Sequence, residues 1–143
     1  MKHKRSRGFG LIDGLIALAI LSFGLLGMTR LQARALAQAT ESQSRMTAGQ
    51  YADELLSSAL IDTLNRNCYT LPASGTCGSV TAKAIADDWK TRLQAALKDG
   101  TATSTLNATT RQLTLIITWT GKESEATRRL EATTDLRRSD ESS

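Results

Sequence analysis

At 143 residues with a formal charge of +4, the chain has room for one small domain beyond an anchoring segment. The excess charge sits in Lys2, Lys4, Arg5 and Arg7; from Phe9 onward the remaining 14 of the 18 Lys and Arg balance 14 Asp and Glu. With no basic stripe carrying interleaved aromatics, the basicity does not describe a nucleic-acid interface, and none is expected.

The first element is apolar. From Phe9 to Thr29 the chain runs 21 residues with Asp13 as its only charge. A helix of that length covers about 30 Å, the thickness of a bilayer's hydrocarbon core. The basic flank ahead of it favours a cytoplasmic N-terminus, with everything after Arg30 on the far side. Three readings fit the run. It is a secretory signal peptide cut near "ARA" (33–35) or "ALA" (35–37), an uncleaved single-span anchor, or a segment cut just ahead of the apolar run that stays on the mature chain.

Asp13 bears on the choice. An aspartate at the centre of a membrane helix costs about 2.5–3.5 kcal/mol, less near the interface. An ordinary signal peptide or anchor gains nothing from it. Cutting the Gly8–Phe9 bond would create an α-amino group four residues from Asp13, on the same helix face. In a bundle of such helices the carboxylate could equally reach a neighbour's amine.

The basic leader, Gly8, Phe9, a small residue, "LI", an acid and then about twenty apolar residues resemble the class III signal of type IV pilin-like proteins. The resemblance implies cleavage between Gly8 and Phe9 by a membrane prepilin peptidase and N-methylation of Phe9. It places Asp13 where the family usually carries a glutamate, one methylene longer, that pairs with the terminal amine of a subunit already in the fibre. "LSFGLLGMTRLQARAL" (21–36) is further similar to PilV-type minor pilins, which are related to the I-type minor pseudopilins of type II secretion. Many major pilins have a proline in this helix; here Pro72 is the only one. Gly24 and Gly27 are either points where the helix loosens or packing glycines of a membrane helix.

Beyond Arg30 the helical pattern continues. Leu31, Ala35, Ala39, Ser42, Met46, Gly49, Ala52, Leu56 and Leu60 recur at three- and four-residue steps and predict one apolar face. One helix from Phe9 to about Leu64 would be roughly 80 Å long, with Gly49 as a candidate break. The organisation expected is a leader over 1–8, a membrane or fibre-core helix over 9–29, its continuation over 30–64, a head over 65–137 and a flexible tail over 138–143.

"NRNCYTLPASGTCGS" (65–79) is rich in turn formers. Cys68 and Cys77 are its two cysteines, and an even count in an exported chain predicts a disulfide. Two cysteines and the remote His3 fall short of a metal site. "AKAIADDWKTRLQAALKDG" (82–100) predicts a second helix with Ala82, Ile85, Ala86, Trp89, Leu93, Ala96 and Leu97 on its apolar face, Asp87 and Asp88 near its start, and Gly100 ending it. "TSTLN" (103–107), "RQLTLIITW" (111–119) and "ATRRLEATTDLR" (126–137) predict three strands, with "TGKESE" (120–125) as the last turn. Short connections make this an antiparallel meander on the long helix. Arg128, Arg129, Arg137 and Arg138 are expected on solvated faces or in a subunit contact.

The fold class expected is therefore α+β, and the resemblance implies the pilin-like lollipop: a long helix packed on a small head with a second helix and about three strands. No nucleophile–base pair, phosphate loop, cofactor site or metal cluster is legible, so no enzyme is expected. The partners implied are prepilin peptidase, other minor pilins, the major pilin and the inner-membrane assembly platform, with the head periplasmic and then part of the fibre, at its tip. The alternatives are a minor pseudopilin of type II secretion and an ordinary anchored or secreted periplasmic binding domain.

Overall fold

A computed structural model describes residues 10–73, 76–121 and 125–137. The chain divides into two units, one up to Ala39 and one from Thr40. The elements run α1 (Gly10–Ile61), a 3-10 helix (Thr63–Tyr69), α2 (Val80–Ala96), β1 (Thr101–Leu106), β2 (Gln112–Thr120) and β3 (Thr127–Asp135). This is the α+β class expected: a long N-terminal helix, a second helix and a three-stranded antiparallel sheet in the order β1-β2-β3.

α1 is α-helical throughout, with no break at Gly24, Gly27 or Gly49. Nothing stands within 4 Å of where a Cβ would project from these glycines, so they mark open surface rather than hinges. The end differs from expectation: α1 stops at Ile61, and Thr63–Tyr69 tightens into a 3-10 turn with Asn65 at its kink.

The second unit forms one core. Its sheet turns Leu113, Leu115, Ile117 and Trp119 of β2 inward and leaves Thr114, Ile116, Thr118 and Thr120 on the other face, the alternation dictated by the two-residue period of a strand. α1 contributes Ala48, Ala52, Leu55, Leu56 and Ala59, and α2 contributes Ala82, Ala86, Trp89 and Leu93. The expected α1 face is thus rotated. Met46 is 59% exposed and Leu60 46%, because three alanines let the neighbouring elements approach closely and Leu55 and Leu56 fill the remaining space. Likewise Ile85 and Ala96 of α2 stay exposed.

α2 starts two residues before the expected position because Ser79 caps it, its side chain accepting the Ala82 N–H at 3.2 Å. Asp87 and Asp88 therefore lie in the helix interior, away from the dipole's positive end. They are held instead by Lys83 at 2.6 Å and Arg92 at 2.8 Å, each four residues away. The helix ends at Ala96, the Leu97 N–H bonding Leu93 O, and the left-handed residue that turns the chain is Asp99, φ 53°. Gly100 serves a different need. A Cβ there would stand 3.0 Å from both Leu97 Cβ and Leu97 O, so a side chain at this position would have to push the Leu97 backbone aside.

The loop after the 3-10 helix covers the β1 edge. Leu71 and Ser104 exchange backbone hydrogen bonds at 3.1 and 2.8 Å, and the buried Ser104 hydroxyl donates to Tyr69 O at 2.6 Å. Cys68 and Cys77 are joined, with Cα atoms 4.7 Å apart, as the cysteine count predicts.

Candidate functional site

The first unit presents one continuous feature, the surface of α1 from Gly10 to Ala39. Every residue from Gly10 to Leu36 is exposed, among them Leu11 at 82%, Phe23 at 76% and Leu31 at 71%. Among the described residues α1 is the helix long and apolar enough to cross a membrane, with a mean hydropathy of 2.2 over its most apolar 18 residues. Its two hydroxyls within the run bond inward, Ser22 to Leu18 O at 2.7 Å and Thr29 to Leu26 O at 2.9 Å. The surface therefore offers a lipid or helix neighbour no stray hydroxyl donor. These properties make α1 a single-pass membrane-anchor type of segment.

Asp13 is the polar exception. It lies in the first described turn of α1. It has no ion-pair partner among the described residues, and it shares a face with Gly10, Ile16 and Ala17. Gly8 and Phe9, the expected cleavage and methylation positions, lie outside the described residues, as do the leader and the 138–143 tail.

The second unit spends its charges on itself. Glu41 accepts the Arg45 Nε–H at 3.4 Å and forms an ion pair with Arg128, whose Nε lies 2.8 Å away. Arg92 bonds Glu54 at 2.5 Å and Asp88 at 2.8 Å while lying 5.9 Å over the Tyr51 ring; these two carboxylates raise its pKa further. Arg129 meets Glu131 at 2.7 Å, and Arg137 pairs with Asp135, holding that carboxyl below the ordinary aspartate range. Of the arginines expected on solvated faces or in a subunit contact, Arg129 and Arg137 are exposed and paired within their own segment, whereas Arg128 is half-buried beside Glu41. Arg138 lies outside the described residues.

Two tryptophans mark the core. Trp89, 1% exposed, donates its indole N–H to Tyr51 O at 2.9 Å and meets the Tyr51 ring edge-on at 6.2 Å, so its role is packing. Trp119, 3% exposed, has an indole N–H without a hydrogen-bond partner among the described residues. Tyr69 donates to Asp62 at 3.3 Å; burial first, then the Asp62 charge, push its phenol pKa up. No cluster of three His, Cys, Asp or Glu that could hold a metal occurs among the described residues.

Comparison with protein-family models, with curated proteins and with solved structures gives no match for this chain.

Proposed function

We propose that the chain is a minor pilin of a type IV pilus, a structural subunit that helps start fibre assembly within a complex of minor pilins. The single observation that carries the reading is the wholly exposed apolar run of α1 over 10–29, following the Gly8–Phe9 step and bearing Asp13 as its only charge. In this reading prepilin peptidase cuts after Gly8 and Phe9 is methylated. The apolar helix rests in the inner membrane until it moves into a bundle of like helices, which replaces its lipid contacts.

Asp13 gives that transfer its register. The carboxylate leaves the headgroup region only when a cation meets it, and the terminal amine of a neighbouring subunit is the partner at the same depth. An offset of one turn, about 5.4 Å, would leave both charges unpaired in an apolar bundle, so a single register wins. The head, with its charges largely engaged internally, takes part in the tip complex with other minor pilins beside the major pilin and the assembly platform.

The test is intact mass and N-terminal sequencing of the chain from cells carrying a prepilin peptidase. A chain beginning at methylated Phe9 supports the proposal. One beginning at Leu36 or Gln38, or keeping Met1, refutes it. The pairing role is tested separately: Asp13→Ala should lose co-purification with partner pilins, and undiminished co-purification sinks that role.

A further inference from the structure

The far border of the apolar run carries two arginines that no acid among the described residues engages. Arg30 and Arg34 are exposed, and neither makes an ion pair or hydrogen bond among the described residues. From residue 14 to residue 40 the sequence holds no acid. Twenty residues separate Gly10 from Arg30, about 30 Å of helix, one hydrocarbon thickness. Arg30 therefore reaches the headgroup layer opposite the basic tip, the side on which membrane proteins ordinarily place few cations.

The helix face below them carries two shallow, open grooves between exposed side chains. Phe23, Leu26, Gly27 and Arg30 line one groove of about 370 Å³, and Gly27, Arg30, Leu31 and Arg34 line the next, of about 280 Å³. They share Gly27, whose missing side chain leaves open space, and Arg30. Helix side chains lean toward the N-terminus, so the Arg34 guanidinium reaches back toward the level of Arg30, one turn below. The strip reads, from the bilayer outward, as an aromatic wall, a backbone notch and two forked cations.

We propose that this strip binds one anionic phospholipid, its phosphate held by Arg30 and Arg34 and its acyl chain lying along Phe23, Leu26 and the notch at Gly27. The charge complementarity is specific. Guanidinium forks bond phosphate oxygens two at a time, and an anion at this depth neutralises two cations that have no other counter-charge nearby. The inference rests on α1 crossing a membrane and does not depend on the pilus.

The full chain, reconstituted into vesicles of equal phosphatidylcholine and phosphatidylglycerol, is floated, re-extracted in mild detergent, and its retained lipid read by mass spectrometry. The ratio of retained phosphatidylglycerol to phosphatidylcholine should exceed the input ratio by roughly five-fold for each arginine engaged. Arg30→Gln with Arg34→Gln should lower the ratio by the factor the two arginines supply, leaving what the basic tip contributes, while the chain still floats, and the lysine pair should keep part of the enrichment. Gly27→Leu should lower retention with both charges in place. Inorganic phosphate added at constant ionic strength should leave the lipid bound. Unchanged enrichment in the glutamine pair, equal retention of both lipids, or displacement by phosphate overturns the proposal alone. A chain absent from the floated vesicles overturns the membrane span along with it.

Discussion

Replacing both cysteines, Cys68→Ala with Cys77→Ala, should destabilise the second unit through one loop. The bond closes a separation of nine residues. A chain-entropy treatment of a loop that short gives about 2.6 kcal/mol lost on removal, close to a hundredfold in the unfolding equilibrium, since about 1.4 kcal/mol is tenfold. The structure says where the loss should show. The loop carries Leu71, whose two hydrogen bonds to Ser104 cover the β1 edge, and Tyr69, whose carbonyl accepts the Ser104 hydroxyl. Urea unfolding of the full chain in detergent, followed by emission of the buried Trp89 and Trp119, reads the free energy. Amide exchange at Leu71 and Ser104 reads the edge. A loss under about 1 kcal/mol with both amides still protected would refute the claim that the loop's closure holds this edge.

The two tryptophans should respond unequally to Phe in the same unfolding assay. Trp89→Phe removes a made hydrogen bond and ring contact and should cost about 2–3 kcal/mol, whereas Trp119→Phe also removes an unsatisfied donor and should cost less; equal losses would contradict the assignment. Gly100→Ala forces a methyl against Leu97 Cβ and Leu97 O, each 3.0 Å from its position, and should lower stability by about 1–3 kcal/mol, measured as a shift in the urea midpoint. For Asp135, whose folded pKa is depressed by its hydrogen bonds from Arg137, the pair's stabilisation is present above the ordinary aspartate pKa. It fades as pH falls through the folded value. A carboxyl titration followed by NMR should place Asp135 below an unpaired aspartate, and Arg137→Gln should return it to the ordinary range.

Much of this fold was legible because the sequence states periods plainly. "LTLIITW" alternates core and surface without a slip, and Leu113, Leu115, Ile117 and Trp119 are all buried. The α1 face was harder. Ala48 and Ala59 carry little apolar signal, so a search for large residues at helical spacing selects Met46 and Leu60, while the contact is governed by how near the elements can come. The start of α2 was misplaced for a related reason: a single cap, Ser79, outweighs the pull of two acids toward an N-terminus. Gly100 is expected to end α2, but the helix ends at Ala96 and the glycine instead relieves a close approach to Leu97. The amphiphilic strip at Arg30 and Arg34 was present in the sequence, but the pairing of the other arginines was not. Only when Arg128, Arg129 and Arg137 are seen to be engaged does the isolation of Arg30 and Arg34 become informative.

The same contrast locates function in the molecule. The second unit buries most of its leucines and both tryptophans and pairs its exposed arginines with nearby acids, so its fold is self-sufficient in the physical sense. The first unit does the reverse. Between Leu11 and Leu31 it exposes a dozen large apolar side chains, each worth about 1.5–3 kcal/mol when fully removed from water. A helix with that surface is not stable in water and must be covered by lipid or by other apolar helices. Both coverings are made of hydrocarbon, so exchanging one for the other changes little free energy along most of the run. In the reading proposed above, the groups that are not hydrocarbon, Asp13 at one border and Arg30 with Arg34 at the other, set the depth at which α1 rests and the neighbours it rests against.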